Sequence, residues 1–288
     1  MGKEPVLGVI GGSGLYSLGG LEAQEEIQAD TPFGAPSAPI VVGRVRGRKV
    51  AFLARHGRGH HLTPSEVPYR ANLYALKALG VERVLSISAC GSLRETIAPG
   101  DVVVPDQIFD NTRGRARSFF GEGLVAHIGV ADPVCPQMSP LVAASVAAKG
   151  GRVHAGGALI TIEGPRFSTR AESNAYRAWG LSIIGMTASP EAFLAREAEL
   201  CYSILAHVTD YDVWHLQEEP VSVEAVIRTL QGNAALAEAA LLDLIERLPP
   251  ERTCSCGSAM RSAFITSPDA IPESTRRKLS LLVDRYLA

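Results

Sequence analysis

Short runs of valine, isoleucine and leucine alternate with helix-forming segments along almost the whole chain. Strands buried on both faces of a sheet carry such near-continuous apolar runs, because neither face meets water. We therefore predict strands at 6–10, 50–54, 83–88, 101–105, 158–162, 181–186 and 202–209. The segments between them predict helices at about 68–79, 136–149, 170–178, 190–200 and 222–247, and a last helix at 272–287.

This alternation is typical of α/β domains in which helices cover a central sheet. No internal repeat, low-complexity tract or linker divides the chain, and 288 residues suit a single large domain. The proline-rich joint LPPERTCSCG at 248–257 separates only a final helical segment from the rest. We expect residues 1–248 to form one α/β domain and residues 249–288 to form a helical extension packed on it.

The composition restricts the kinds of partner. The apolar share of 46% and the charged share of 20% are ordinary for a water-soluble globular chain. A formal net charge of −2, with no basic run interleaved with aromatics, argues against nucleic acid. No apolar run reaches the ~18 residues of a transmembrane helix, and the amino end lacks a signal-peptide pattern. We therefore expect a cytoplasmic protein that binds neither nucleic acid nor a membrane.

The segment after the first predicted strand, GGSGL, combines glycines with the hydroxyl of Ser13. In such sheets ligands bind at the carboxyl ends of strands, and converging backbone N–H groups there can bind an anion. The segment is neither a Walker loop nor a full dinucleotide fingerprint, since Ser17 stands where the third glycine belongs. By itself this segment is better explained as a structural turn than as an anion site.

Two further strand ends carry anion donors. After the second apolar run, ARHGRGHH offers the planar fork of Arg55 and the ring of His56. After the third run, Ser88 and the N–H of Ala89 can complete a cradle around an anion. Three such strand ends are best explained by a bound phosphate.

Metal and thiol chemistry have no comparable signal in these segments. Gly57 and Gly59 disfavour the helix that would align His56 with His60, and no acidic ligand lies nearby. Cys90 has no local base partner, so a small buried residue is the simpler interpretation.

The loop after the fifth predicted strand, TIEGPRFSTRAES, holds an aromatic residue and two opposite charges. Phe167 can stack on a planar base or simply fill the loop. Glu163 and Arg166 can form a surface pair or part of a ligand shell. The next strand ends with Met186 and Thr187, a thioether and a hydroxyl that suit one face of a sugar and an anion.

Asp210 and Asp212 follow the last predicted strand in DYDVW. The two acids are compatible with surface charges, with metal ligands, or with hydrogen-bond partners for a basic ring. Their spacing alone does not decide among these possibilities.

The chain resembles the trimeric/hexameric purine nucleoside phosphorylase family, and within it the 5′-methylthioadenosine phosphorylase branch, in six motifs taken in order: IGGSGL, DTPFGAPS, LARHGRGH, SACGSLRETIAPGD, TIEGPRFSTRAES and TDYDVW. The resemblance runs from about residue 6 to 245. It implies a single domain with a central mixed β-sheet covered by helices on both faces. It also implies phosphorolysis of 5′-methylthioadenosine to adenine and 5-methylthioribose 1-phosphate, with inorganic phosphate as co-substrate and neither cofactor nor metal.

The resemblance assigns roles to individual residues. The implied phosphate shell consists of Ser13, Arg55, His56, Ser88, Ala89 and Thr187. Many relatives have threonine at the positions of the two serines, so the hydroxyls are retained. The implied nucleoside contacts are Phe167, Ser168, Met186 and Thr209, together with the helical apolar stripe Val223, Val226 and Ile227 as a floor for the methylthio group. A neighbouring subunit would lend His127 to the 5′ pocket, which implies a homotrimer or homohexamer.

The resemblance also gives the two acids a chemical role. Phosphate attacks the anomeric carbon while adenine leaves, and Asp210, with its pKa raised by burial, can protonate the imidazole ring of the purine. Asp212 can accept a hydrogen bond from the exocyclic amine, which favours adenine over a 6-oxopurine.

Other activities stay open at this point. A 6-oxopurine nucleoside or methylthioinosine phosphorylase would share the machinery, because a protonated Asp212 could donate to a carbonyl. A nucleoside hydrolase would need a calcium-binding cluster of aspartates, and none is visible. A noncatalytic nucleotide-binding module fits the incomplete dinucleotide fingerprint and the intact phosphate shell less well.

The five cysteines stand at 90, 135, 201, 254 and 256. An odd number in a cytoplasmic chain suits reduced thiols. The CSC spacing is too tight for a zinc knuckle, and no second Cys or His pair at ligand spacing accompanies it. Some relatives from hot environments carry disulfides, including a Cys-X-Cys element near the carboxyl end. That resemblance implies the pairs Cys135–Cys201 and Cys254–Cys256, with Cys90 free; reduced thiols are the alternative.

Overall fold

The computed structural model describes residues 6–12, 21–215 and 223–287, with the backbone alone for Val6 and for 223–233. Its strands are β1 (Val6–Gly11), β2 (Glu22–Ile27), β3 (Ile40–Val45), β4 (Arg48–Ala54), β5 (Val81–Ser92), β6 (Val102–Val104), β7 (Gln107–Asn111), β8 (Val153–Ala155), β9 (Ala158–Ile162), β10 (Ile183–Gly185) and β11 (Cys201–Asp210). Its helices are α1 (Tyr69–Ala78), α2 (Met138–Ala148), α3 (Arg170–Ala178), α4 (Ala188–Glu197), α5 (Val223–Arg247) and α6 (Glu273–Leu287). Each predicted strand and helix has a counterpart among them.

Strand β5 is the centre of a mixed sheet. It pairs in parallel with β1 and β11 and antiparallel with β10. The strand order is β2-β3-β4-β1-β5-β10-β9-β7, while β11 connects β5 to β6, and β6 pairs with β8. The predicted fold, a mixed sheet covered by helices, is confirmed.

The apolar runs form the core. Ile10 of β1, Leu53 of β4 and Val84 of β5 have no exposed surface, and full burial of such a side chain contributes about 1.5–3 kcal/mol. Among the described residues, helix α2 packs against α5 and α1 packs against α4, and α2, α4 and α5 also contact β11. None of the described helices combines the length and the apolar character that crossing a membrane requires.

Four strands were not predicted, namely β2, β3, β7 and β8. Strand β2 lies at one end of the strand order, and its residues EAQEEI are almost all exposed. Strand β7 lies at the other end and is only half-buried. Edge strands need no continuous apolar run, because solvent reaches them. Their sequences therefore look like loops.

The carboxyl-terminal segment is held on the domain by Glu199. The carboxylate of this residue accepts hydrogen bonds from the Met260 N–H at 3.0 Å, the Arg285 guanidinium at 3.0 Å and the Tyr286 hydroxyl at 2.5 Å. The apolar side of α6 is buried through Leu279, Leu282 and Val283. The predicted last helix is therefore fixed by both charge and apolar packing.

All five cysteines are free thiols, so the two disulfides implied by the resemblance are not formed. Instead of two separate pairs, the thiols of Cys135, Cys201, Cys254 and Cys256 form one cluster within 4.8 Å of one another. The fold brings together the residues before α2, the start of β11 and a turn of the carboxyl-terminal segment. Cys90 lies apart in β5.

Candidate active site

The carboxyl ends of β1, β4 and β5 meet at one edge of the sheet. The N–H of Arg55, just after β4, donates to the last carbonyl of β1 at 2.9 Å, and the N–H of Gly12 donates to the Ile87 carbonyl of β5 at 2.9 Å. A Cβ atom on Gly12 would lie 2.7 Å from both the Ile87 oxygen and Arg55 Nη1. Only glycine allows this close approach. The three segments predicted to bind an anion are thus brought together.

Arg55 is fully buried and forms an ion pair with Glu191 of α4. Arg55 Nε and Nη2 donate to the two carboxylate oxygens at 2.8 and 3.1 Å. Nη2 also donates to Ser86 Oγ at 2.6 Å, and the Tyr202 hydroxyl donates to Glu191 Oε1 at 2.8 Å. The prediction that the Arg55 fork grips phosphate with two donors is therefore wrong, because the fork holds a carboxylate. Nη1, beside Gly12, donates one N–H to the Ile87 carbonyl at 3.4 Å and keeps its second N–H for an anion.

His56 is held in one tautomer. The Leu62 carbonyl can only accept, so the 2.9 Å contact from His56 Nδ1 places a proton on Nδ1. Burial, followed by the nearby charge of Arg55, lowers the pKa of His56 to about 4. The ring stacks on His60 with centroids 4.3 Å apart. At neutral pH, His56 Nε2 is consequently a hydrogen-bond acceptor. The sequence analysis had predicted a donor at this position, which is wrong. An acceptor suits the proton of a hydrogen phosphate.

Ser88 and Ala89 both lie inside β5, whereas the predicted strand ended at Ser88 and left Ala89 in the segment after it. Strand β5 continues to Ser92 because β11 pairs with it as far as Gly91. On the other edge of β5, the pairing with β1 ends at Ile87, and the pairing with β10 begins at Gly91. No described strand covers the backbone between these two points on that edge. An unpaired strand edge beside Arg55 can offer N–H groups to an anion.

Cys90 is buried, and burial together with the charge of Asp210 raises the pKa of its thiol well above the ordinary value. A thiol held in its protonated form is a poor nucleophile. This agrees with the prediction of a small buried residue.

Asp210 ends β11 and packs against the glycine that pairs with it. A Cβ atom on Gly91 would lie 2.9 Å from Asp210 Oδ1 and 3.3 Å from Asp212 Cβ. Asp210 Oδ1 accepts from the Asp212 N–H at 2.8 Å, and Oδ2 accepts from the Thr209 hydroxyl at 2.7 Å. Burial raises the pKa of Asp210, so it retains its proton to a higher pH than an exposed aspartate. Thr209, which we expected to contact substrate, holds Asp210.

Asp212 presents a carboxylate oxygen without a partner. Its Oδ2 atom is buried, and no described residue forms a hydrogen bond with it. Burial raises the pKa of Asp212, the nearby Ser173 hydroxyl acts against this shift, and the charge of Asp210 adds to it. The turn is fixed by Trp214, whose Nε1 donates to the Ser92 carbonyl at 2.7 Å while the Arg177 guanidinium lies 3.5 Å from its ring centre. A buried acceptor left open indicates a ligand that supplies the donor.

The loop after β9 lies on Met186. Gly164 has a φ of 65°, and a Cβ atom there would lie 2.6 Å from the Met186 sulfur. Farther along the loop, the hydroxyl of Ser168 is buried without a described partner, whereas Phe167 is 38% exposed. The loop thus presents one open polar atom and one partly exposed ring.

Thr187 occupies the position before α4. It is buried, and its hydroxyl forms no capping hydrogen bond with the helix. The N–H groups at the start of α4 are not open to an anion in the usual way, because the Ser189 N–H donates to Thr161 Oγ1 at 3.1 Å and Pro190 has no N–H. The Thr187 hydroxyl is the group at this position that suits an anion. This position agrees with the predicted phosphate role.

Arg115 is a buried residue that the motif analysis missed. Its Nη1 atom donates to the carbonyls of Met186 and Ser189, both at 2.7 Å, and Nη2 donates to the Glu163 carbonyl at 2.7 Å. It also pairs with the Glu163 carboxylate at 3.4 Å. The guanidinium therefore fixes the two loops that carry the nucleoside candidates. The partners lie 48 to 74 residues away in sequence, so no local pattern could identify it.

The remaining charged candidate of this loop pairs elsewhere. Arg166 forms an exposed ion pair with Glu172 of α3 at 2.7 Å, and not with Glu163. The surface pair between Glu163 and Arg166 that the sequence left open is therefore not formed, because Glu163 pairs with Arg115 instead.

Some predicted site residues lie outside the part of the chain that the structure describes. Ser13 lies outside the described residues. Helix α5 begins at Val223, as expected, but the side chains of the predicted stripe, Val223, Val226 and Ile227, are likewise not described. His127 is exposed, and its N–H donates to the Ala263 carbonyl at 2.8 Å, next to the carboxyl-terminal segment.

The buried ion pair generates a testable prediction. Glu191→Gln leaves the Arg55 guanidinium without a compensating charge, and we expect the free energy of unfolding to fall by about 3 kcal/mol. The matched control is Glu273→Gln, which breaks an ion pair with Arg277 whose partners are 74% and 72% exposed. It should change stability by less than about 0.5 kcal/mol. Urea unfolding measures both, and equal midpoints would show that the pair does not organise this edge of the sheet.

Comparison with known proteins places this geometry in a family. The profile of the phosphorylase superfamily matches residues 6–246. The S-methyl-5′-thioadenosine phosphorylase of Geobacter sulfurreducens is 52% identical over 99% of this chain and 100% of that protein. The enzyme of the same name from Synechocystis is 51% identical over 97% and 87%.

Solved structures agree. A methylthioadenosine phosphorylase from an antarctic soil metagenomic library superposes with a TM-score of 0.92 at 45% identity, covering 97% of this chain and 99% of that one. The methylthioadenosine phosphorylase from Schistosoma mansoni in complex with adenine has a TM-score of 0.81 at 35% identity, with 98% of both chains covered. The chain therefore belongs to the phosphorylase superfamily and, within it, to the family of the S-methyl-5′-thioadenosine phosphorylases.

Proposed function

We propose that the chain catalyses the phosphorolysis of 5′-methylthioadenosine, which gives adenine and 5-methylthioribose 1-phosphate. The observation that carries the proposal is the buried, open Oδ2 of Asp212 beside Asp210, on the strand edge next to the anion donors. The proposed anion donors lie near Ala89 of β5, and the two acids lie near Gly91. These two positions are two residues apart on the strand, or about 7 Å. A nucleoside would fit there with its anomeric carbon between phosphate and base.

On the phosphate side, the proposed donors are Arg55 Nη1, the edge N–H groups near Ala89 and the hydroxyls of Ser88, Thr187 and Ser13. Neutral His56 would accept a hydrogen bond from the hydroxyl of a hydrogen phosphate and so orient one of the unprotonated phosphate oxygens for attack. That oxygen bonds to the anomeric carbon while the carbon–nitrogen bond to adenine breaks. Fixed donors around the anion stabilise the charge that moves during this step. Inorganic phosphate is thus the co-substrate, and the chemistry uses no cofactor.

On the base side, the electron pair of the broken bond moves onto the purine. Asp210, protonated at a higher pH than usual, donates its proton to the imidazole ring of the leaving adenine. Asp212 Oδ2 accepts from the exocyclic amine, and this fills the open acceptor. Ser168 would offer its unpartnered hydroxyl to the base, and Phe167 its ring. Met186 would face the ribose.

The raised pKa of Asp212 favours one second candidate. A protonated Asp212 could donate to the carbonyl of a 6-oxopurine, which would make the enzyme a 6-oxopurine nucleoside or methylthioinosine phosphorylase. The substrate comparison below separates the two activities.

The 5′ side of the pocket is proposed to be shared between subunits of a homotrimer or homohexamer. His127 is exposed, and it is flanked by the exposed apolar residues Val125 and Ile265, which are 47% and 65% accessible. The Ile265 N–H donates to the Val125 carbonyl at 3.0 Å, so the two side chains belong to one rigid surface. A neighbour seated there would cover the apolar pair and receive His127. Val223, Val226 and Ile227 would line the methylthio group.

We propose a cytoplasmic location for this metabolic enzyme.

Phosphate dependence tests the reaction class. With 5′-methylthioadenosine, adenosine, methylthioinosine or inosine as substrate, we expect fastest base release from 5′-methylthioadenosine and none without phosphate. Thr187→Val removes one hydroxyl donor and should raise the KM for phosphate by roughly tenfold or more, because hydrogen bonds to charged groups contribute about 1.5–3 kcal/mol. Thr96→Val, at an exposed position, is the control. Base release in phosphate-free buffer would overturn phosphorolysis and indicate a hydrolase.

Base choice tests the role of Asp212. Asp212→Asn can donate where the carboxylate accepts, so the ratio of kcat/KM for adenosine over inosine should fall by at least about tenfold. Asparagine tolerates the φ of 50° at this position, so the backbone should be retained. Asp210→Asn is the matched comparison, since it should slow both substrates and leave their ratio unchanged. An unaltered ratio in Asp212→Asn would falsify the assignment.

Subunit mixing tests the shared pocket. His127→Ala should raise the KM for 5′-methylthioadenosine, and Asp210→Asn should be nearly inactive. When the two variants are coexpressed and assemble into mixed oligomers, some pockets contain an intact His127 and an intact Asp210. The activity of the mixed oligomer should therefore exceed the sum of the activities of the two separate variants. Ile265→Asp should dissociate the assembly in sedimentation, whereas Ile265→Leu should not. Full activity in a monomer, or no recovery on mixing, would contradict a shared site.

A further inference from the structure

Four thiols from distant parts of the chain converge on one point. The sulfur atoms of Cys135, Cys201, Cys254 and Cys256 all lie within 4.8 Å of one another. Three of these residues are buried, and Cys254 is half-buried. The candidate active site does not use them. Cys201 begins β11 and Asp210 ends it, so the cluster is separated from the acids by about 30 Å of strand.

The spacing of the sulfur atoms suits a single cation. Cys254 Sγ lies 3.3 Å from Cys201 Sγ and 3.7 Å from Cys135 Sγ. The four ligands of a tetrahedral zinc ion, at about 2.3 Å from the metal, lie about 3.8 Å from each other. The thiols of Cys135, Cys201 and Cys256 also contact one another. The four sulfur atoms therefore form one mutual cluster and not two separate pairs.

The elements that carry the thiols are fixed by other bonds. The Cys135 N–H donates to the Tyr202 carbonyl at 2.7 Å, which ties the start of α2 to β11. The 3₁₀ turn Ser255–Ser258 follows a segment that two side-chain hydrogen bonds hold in place. Gln137 Nε2 donates to Thr253 Oγ1 at 2.7 Å, and Arg252 donates to the Glu199 carbonyl at 2.6 Å. The cluster is therefore pre-organised, which is what a structural metal site requires.

Donors around the sulfurs suit negative charge on them. The Met138 N–H donates to Cys135 Sγ at 3.4 Å, and Arg196 Nη1 donates to Cys256 Sγ at 3.6 Å. Four thiolates and one divalent cation carry a net charge of −2, which an N–H group and a guanidinium stabilise. Four buried thiolates without a cation would repel each other at close range.

We propose that Cys135, Cys201, Cys254 and Cys256 bind one thiophilic divalent cation of the zinc class as four thiolate ligands. With four protein ligands the site is closed, so its role is structural. The cation joins the carboxyl-terminal segment to α2 and β11. It thus adds to the anchoring of that segment by Glu199, and it takes no part in phosphorolysis.

Metal and thiol contents test the proposal on the intact protein. The wild type, Cys254→Ser and Cys90→Ala are expressed in zinc-supplemented medium and purified rapidly without reductant or chelator. We expect about one zinc ion per chain in the wild type and in Cys90→Ala. Cys254→Ser, dialysed beside them against a weak chelator, should hold at least about tenfold less zinc. Cys90→Ala is the matched control, because it removes the one cysteine outside the cluster.

The number of free thiols separates metal from disulfides. In denaturant with chelator and without reductant, the metal site gives all five thiols of the chain. One thiol would mean two disulfides and three would mean one, and either result overturns the proposal. Five thiols without bound zinc overturn it as well.

Cobalt supplies a readout that needs no variant. Co²⁺ added to the metal-free wild type should give thiolate-to-cobalt charge transfer and the strong visible bands of a tetrahedral site, and zinc should abolish them. The proposal therefore stays testable even where Cys254→Ser fails to fold. Absence of these bands in the folded protein counts against it.

Discussion

Four elements of the fold meet at one buried ion pair. Arg55 follows β4, Glu191 lies on α4, Tyr202 on β11 and Ser86 on β5, and each side chain is at most 2% exposed. Two charges withdrawn from water are stable only where hydrogen bonds satisfy their remaining donors and acceptors. Tyr202 and Ser86 supply these bonds. Because the pair fixes the guanidinium, it also fixes Nη1 beside Gly12. The anion site thus takes its position from the core and not from surface loops.

The register between β5 and β11 controls the rest of the site. Asp210 stands opposite Gly91, and only a glycine leaves room for the carboxylate at that point. A slip by one residue would turn every side chain of β11 to the opposite face. Asp212 would then lose its place above β5, and Cys201 would leave the thiol cluster at the other end of the strand. One ladder of hydrogen bonds therefore positions two unrelated kinds of chemistry.

Sequence reasoning identified what burial and motifs make visible. The apolar run 202–209 predicted β11, and the segments after the strands contained Arg55 and Asp212. Edge strand β2 could not be predicted, because exposed glutamates resemble a loop. Partners far apart in sequence were equally hidden. Glu191 is 136 residues from Arg55, and it turns the predicted phosphate fork towards a carboxylate. The thiol cluster escaped spacing rules for the same reason, since those rules recognise ligands that are neighbours along the chain.

Arg115 binds the main chain of two loops more than their side chains. Its donors reach the carbonyls of Met186 and Ser189, and a carbonyl is present whatever residue occupies either position. The location of the loop is thereby uncoupled from the identity of the side chain at 186. An exchange of Met186 can reshape the wall of the pocket while the backbone stays in place. The fold thus leaves its substrate range open to evolution by single substitutions, at little risk to the scaffold.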